Sequence, residues 1–310
     1  MSPVSSAKWD DFVKRLQQEE KAAKIRTSII HQEEQKKHRE MTLRQEQDDR
    51  RRRLLTLLVE VDVNAKHDTT SRRRQTDTAM WIFDDDTFRS FMQSVKSECL
   101  CCYGFVGSGK TFTSSSVIDY LNEHHGRTDF VSYHYFDHAD KRSLSFISFL
   151  SAILRQLILR YGWLPLIEDT LVDISNKGWL SISEAAMVEL ILSTIDSLKR
   201  PAIFLVIDGI DELPRIDQQK LLPFIEKLTR QTGIVYKSFI TCRSGEGLLE
   251  RELGMVKTSS IEIRPQTVAP DIRRIVNQSL DTWQPALSQS DANVVKMEVG
   301  RVLTTQGEGS

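Results

Sequence analysis

The sequence is poor in several things, and each shortage excludes a class of protein. Net charge is almost absent: 42 Lys and Arg face 43 Asp and Glu, a formal charge of −1. A balance of that kind argues against a protein that coats nucleic acid or lies on a membrane surface, so neither is expected as a partner. Cysteine is scarce, with four residues at Cys99, Cys101, Cys102 and Cys242. Three of them crowd into "CLCC", where neighbouring side chains point to opposite faces of a strand; that is no secreted disulfide framework, makes a poor zinc site and suits a reducing compartment. Long apolar runs are missing too. The most apolar stretch, "PAIFLVI", is far too short to cross a bilayer, and the N-terminus has no apolar signal region. A cytoplasmic protein is expected.

What is present divides the chain. Residues 8 to about 60 contain neither Gly nor Pro, and acids stand four residues before bases (Glu33 and Lys37, Glu40 and Arg44, Glu46 and Arg50). Such pairs support a solvated helix. Apolar residues between Ile30 and Leu54 are too sparse for a sustained heptad seam, so residues 1–55 read as an exposed helical stalk, with an oligomerising or coiled-coil arm as the sharper alternative. Residues 56–97 are mixed: a brief apolar run, a polar loop, and a small helix near Asp84 to Met92. Beyond them, apolar strands ("CLCCYGF", "FVSYHYF", "AIFLVID", "YKSFITC", "SIEIRP") alternate with amphipathic helices through residue 265. That alternation predicts a parallel α/β sheet flanked by helices. Residues 266–310 read as helical again.

The chemistry concentrates in three places. Gly104-Phe105-Val106-Gly107-Ser108-Gly109-Lys110-Thr111 has the spacing G-x-x-x-x-G-K-T, after a strand and before a helix. Missing side chains let backbone N–H groups wrap a phosphate chain, Lys110 reaches the β- and γ-phosphates, and the Thr111 hydroxyl ligates Mg²⁺. The strand "AIFLVID" ends in Asp208, a candidate Mg²⁺ ligand through water. Asp211 and Glu212 follow, placed to polarise an attacking water. Arg243, after the strand "YKSFITC", could sense the γ-phosphate. An acidic turn capping a strand, and a surface arginine, are the bland alternatives for the last two. His134 and His138 are four apart on one strand with no third ligand, a pairing attributed to chance.

With these residues in view, "GFVGSGKT", "FLVIDGIDELP" and "ITCR" together resemble a NACHT-type NTPase of the STAND class. The segment "VDVNAKHDTTSRRRQTDTAMWIFDDDTFRSFM" is similar to the lead-in of the nephrocystin-like N-terminal NTPase domain of fungal NLR-like proteins. The resemblance implies a P-loop NTPase fold in which the sensor strand lies between the glycine-loop strand and the Asp208 strand. It implies ATP or GTP with Mg²⁺, slow hydrolysis, and a switch controlling self-association or contact with other NLR-like proteins through the N-terminal helix. A non-hydrolysing interaction module and a small-substrate phosphoryl transferase are the alternatives. Where the family has Gly-Thr-Gly before the lead-in tryptophan, this chain has Asp77-Thr78-Ala79; the Pro after the sensor arginine is Ser244. The family continues into a winged-helix domain and a repeat array, so a truncated member is expected.

Overall fold

The computed structural model describes residues 6–59, 61–178, 182–198, 202–230, 233–243, 257–282, 293–295 and 297–298. They belong to two compact units, Met1–Thr56 and Leu57–Ser310. The first is one helix, α1 (Ser6–Leu55). Its side chains are exposed almost throughout, apolar ones such as Trp9, Ile30 and Leu43 included. Ion pairs one turn apart run along it, among them Asp11 with Arg15 at 3.1 Å and Glu20 with Lys24 at 2.7 Å. Each contributes about 0.2–0.5 kcal/mol.

The second unit is built on five parallel strands: β1 (Glu98–Gly104), β2 (Phe130–Tyr135), β3 (Ala202–Asp208), β4 (Val235–Arg243) and β5 (Lys257–Ile263). Their order is β2-β3-β4-β1-β5, which sets β4, the strand that ends in Arg243, between β3 and the glycine-loop strand β1 as expected. The strands are apolar on both sides because helices cover them. Helices α4 (Lys110–His124), α5 (Phe146–Tyr161), α6 (Pro165–Asn176), α7 (Glu184–Leu198) and α8 (Arg215–Thr229) lie between strands in the chain. A final helix, α9 (Pro265–Thr282), follows β5. The sequence "FISFLSAILRQLILRY" of α5 is apolar nearly all round because α5 packs against β2, α7 and α8 at once. Ser244 lies outside the described residues.

The lead-in departs from expectation. The polar stretch read as a loop is instead a helix, α2 (Val63–Arg73), started by Asp62, whose carboxylate accepts the Ala65 N–H at 2.9 Å. Its polarity is inward-facing chemistry: His67 Nε2 meets Asp119 of α4 at 3.0 Å, and Arg74 donates to the same carboxylate at 2.8 Å. A 3-10 turn (Met80–Asp84) and helix α3 (Asp86–Gln93) complete the segment. Lys237 of β4, buried, anchors α3 by donating to the carbonyls of Phe91 and of Met92, the latter at 3.0 Å.

Candidate functional site

The glycine loop joins β1 to α4 at the carboxyl edge of the sheet. Glycine is forced at position 104: a Cβ there would stand 2.7 Å from Ser108 Oγ and 2.9 Å from Ile263 Cβ. Gly107 and Gly109 hold φ of +84°, a conformation that turns successive N–H groups to one side and that side chains disfavour. Val106 is exposed at the loop tip, and the Ser108 N–H donates to the Phe105 carbonyl at 3.2 Å. Lys110 bends back over the loop, donating to the carbonyls of Gly104 at 2.8 Å and Phe105 at 2.7 Å. Burial pulls its ammonium below the ordinary lysine range, while Asp211 and Asp208 act against that shift.

Beside the loop, Asp208 closes β3 as a buried carboxylate with three hydroxyl donors. Thr111 Oγ1 donates to one oxygen at 2.8 Å; Ser114 Oγ and Thr241 Oγ1 donate to the other at 2.7 Å each. Burial pushes its pKa up, and the hydroxyls of Thr241, Ser114 and Thr111 pull the other way. Thr241 also accepts the Gly209 N–H at 2.9 Å. The Thr111–Asp208 pair is all oxygen, the donor chemistry Mg²⁺ selects. Among the described residues no group of three His, Cys, Asp or Glu could hold a metal alone. The two oxygens of this pair leave room for phosphate and water to complete a coordination sphere, so the donor set fits Mg²⁺.

Arg243 ends β4 directly opposite Gly104 in the strand register. Its guanidinium Nε lies 3.0 Å from Asp211, and its own N–H donates to the same carboxylate at 3.1 Å. Glu212 is engaged elsewhere: it accepts the backbone N–H of His138, in the loop after β2, at 2.8 Å. The structure therefore brings Lys110, Thr111 and Asp208 together, and joins Asp211 to Arg243. It holds Glu212 one loop further out. His134 takes no part. It is buried, with Nε2 3.0 Å from the Ser143 carbonyl.

Sequence reasoning missed Ser114 and Thr241. Both had a signal, since Ser114 lies one helical turn after Thr111 and Thr241 shares a strand face with Arg243. It missed the cavity as well. About 140 Å³ opens beside Gly107–Gly109, walled by Trp81 and Phe112 and by Ile272, Ile275 and Asp271 of α9. Asp77 and Ala79, which stand where the resembled family has glycines, both carry φ of +59°. Among the described residues no helix is long and apolar enough to cross a membrane.

The family model described as Nephrocystin 3, N-terminal matches residues 77–243, more than half of the chain. No curated protein matches it. Among solved structures the chain is similar to the Aeropyrum pernix ORC1 protein in complex with DNA, at 19% identity over 80% of this chain and 59% of that one, TM-score 0.47. It is similar to domain III of the Thermotoga maritima replication initiation protein DnaA, at 16% identity over 81% and 84% of the two chains, TM-score 0.37. A third is the replication initiator DnaA bound to AMPPCP and single-stranded DNA, at 12% identity over 77% and 63%, TM-score 0.32. The chain spans about three fifths of the length of the ORC1 protein. Against the expectation of no nucleic-acid partner, two of these three structures, the ORC1 protein and the DnaA bound to AMPPCP, hold DNA. The net charge behind that expectation is a sum over the whole chain and describes no single face.

Proposed function

The chain belongs to the nephrocystin 3 N-terminal family and has the fold of a nucleotide-binding P-loop NTPase, and from that premise we propose a Mg²⁺-dependent nucleoside-triphosphate switch with weak hydrolysis. The observation that carries it is the 2.8 Å hydrogen bond between Thr111 and Asp208. It sets the proposed metal hydroxyl and carboxylate side by side, at the foot of α4 and next to the glycine loop. In this reading the N–H groups of residues 104–111 cradle ATP or GTP phosphates, and Lys110 leaves its loop carbonyls for the phosphate chain. Thr111 and Asp208 hold Mg²⁺, which when bound neutralises phosphate charge. Arg243 senses the terminal phosphate, and Asp211 and Glu212 orient water.

Slow turnover follows from what those last groups already do. Asp211 is held twice by Arg243, and Glu212 by the His138 N–H. Each must first rearrange an exposed charge-assisted contact, about 0.2–1 kcal/mol for such pairs, before acting on water or phosphate. A protein arranged so favours holding nucleotide over consuming it, the behaviour of a STAND-type signalling switch. The working division is a stalk at 1–55, a lead-in at 56–97, the NTPase core at 98–265 and a helical segment at 266–310. Free cysteines buried in β1 suit the cytoplasm. Calorimetry with Mg²⁺–ATP tests the reading. Lys110→Ala should weaken binding at least tenfold, about 1.4 kcal/mol; unchanged affinity would refute it.

A further inference from the structure

The cavity beside the glycine loop is closed on one side by α9 and on the other by the turn before Trp81, and these two sides are tied together. The Asp271 carboxylate accepts the Ala79 N–H at 2.7 Å. Arg274 donates to the Asp77 carbonyl, and Gln75 to the side chain of Gln278. The second Asp271 oxygen faces the Arg274 guanidinium at 3.9 Å.

The other polar side chains of the wall are also engaged. Thr78 Oγ1 donates to the Gln75 carbonyl at 2.6 Å, and Thr113 Oγ1 to the Gly109 carbonyl at 3.2 Å. Ser108 Oγ lies 3.5 Å from Lys110 Nζ. What the cavity presents is therefore mainly apolar: Trp81, Phe112, Val268, Ile272 and Ile275, the last of them 41% exposed at the mouth.

A backbone N–H beside an apolar slot is the ordinary means of reading one edge of a base. Here that N–H is already spent on Asp271. Resting on the nucleotide reading above, we propose that this cavity takes the nucleotide base by stacking and fit alone, accepts adenine and guanine alike, and owes that indifference to the Asp271 clasp on Ala79. Adenine and guanine share ring size and stacking area and differ in the donors and acceptors of one edge. A site that pairs with that edge can discriminate by several powers of ten, because a mismatch strands buried polar groups; a wall with its polar groups already paired strands none. Trp81, a flat half-buried ring at the slot, supplies the stacking surface.

Calorimetry of the full chain with Mg²⁺ compares ATP, GTP and inorganic tripolyphosphate. ATP and GTP should agree within about threefold, and tripolyphosphate should bind at least tenfold more weakly. Trp81→Ala should weaken both nucleotides and leave tripolyphosphate unchanged. Asp271→Ala frees the Ala79 N–H, so the ATP-to-GTP ratio should move by at least fivefold. Asp271→Asn keeps an acceptor for that N–H, so it should retain the wild-type ratio. A tenfold preference of the wild type for one purine, or tripolyphosphate binding as tightly as ATP, overturns the proposal. An unaltered ratio in a folded Asp271→Ala protein overturns the role of the clasp. If Asp271→Ala does not fold, the wild-type and Asp271→Asn arms still decide. Failure of all three ligands to bind sinks the nucleotide reading itself, an outcome separate from loss of base indifference.

Discussion

Thr241 is the residue on which the proposed metal side of the site turns, and Thr241→Val is the perturbation that isolates it. Valine keeps the shape and the strand preference of threonine and removes only the hydroxyl. That hydroxyl is fully buried; it donates to Asp208 at 2.7 Å and accepts from the Gly209 N–H at 2.9 Å. Losing a donor to a carboxylate costs about 1.5–3 kcal/mol, and an orphaned buried N–H adds about 1–3 kcal/mol. The two losses share a local relaxation, so about 3 kcal/mol in total is expected, read from urea denaturation midpoints. Thr241→Ser keeps the hydroxyl and should lose only the buried methyl, about 1 kcal/mol. A second readout follows from the charge. Thr241 is the largest influence opposing the burial that raises the Asp208 pKa. Without it the carboxyl rises further, and the Mg²⁺ dependence of nucleotide binding should shift to higher Mg²⁺ in the valine variant and not in the serine one. A Thr241→Val protein within about 0.5 kcal/mol of wild type would show that this hydroxyl does not hold Asp208 and Gly209.

Glu212→Gln should leave nucleotide affinity within about threefold while phosphate release falls at least tenfold; release at the wild-type rate moves the water-orienting role to Asp211. Lys237→Met should destabilise the fold by about 3 kcal/mol in urea, because a buried and a half-buried carbonyl of α3 lose a charged donor; a loss under about 1 kcal/mol would mean α3 is held by its aromatic packing instead. Acidification should act through His134, whose pKa burial lowers from 6.5 to about 4. The unfolded chain takes that proton first, so stability is complete above pH 6.5 and is lost as pH falls towards 4. The loss is roughly 2 kcal/mol between pH 7 and 5, and a His134→Gln variant should lack it.

The sheet was legible because its strands are apolar without interruption, a pattern that burial on both faces imposes and a half-exposed strand does not. The glycine loop was legible because its three glycines answer steric demands, a Cβ collision at 104 and positive φ at 107 and 109, that other residues meet only with strain. Helix α2 was not legible. His67 and Ser71 within it and Arg74 just after it look like loop polarity along the chain, yet all three reach one carboxylate, Asp119 on α4. Their spacing of four and three residues is helical, but a polar stripe that meets a distant carboxylate gives no apolar signal of burial along the chain. Thr241 was hard to read for another reason: threonine is an ordinary strand former, and its place on the strand face of Arg243 is a weak signal for a hydroxyl that a distant aspartate needs.

The remaining illegibility has one physical source. Asp271 accepts from the Ala79 N–H, Glu212 from the His138 N–H, and Thr241 from the Gly209 N–H, while Lys237 and Lys110 donate to main-chain carbonyls. Main-chain partners carry no letter in the sequence, so the charged residue is visible and the group that satisfies it is not. This bears directly on how Glu212 is understood. From side chains alone it is an idle carboxylate beside the proposed metal ligand, ready to polarise water. With its N–H partner in view, it also fixes the loop after β2, and its substitution has two effects that must be separated. Gln keeps an oxygen for the His138 N–H and loses the charge, so a fall in turnover with that loop intact reports on water. Glu212→Ala removes the acceptor as well and should additionally loosen residues 137–140, seen as faster amide exchange at His138. Equal exchange in both variants would detach Glu212 from that loop.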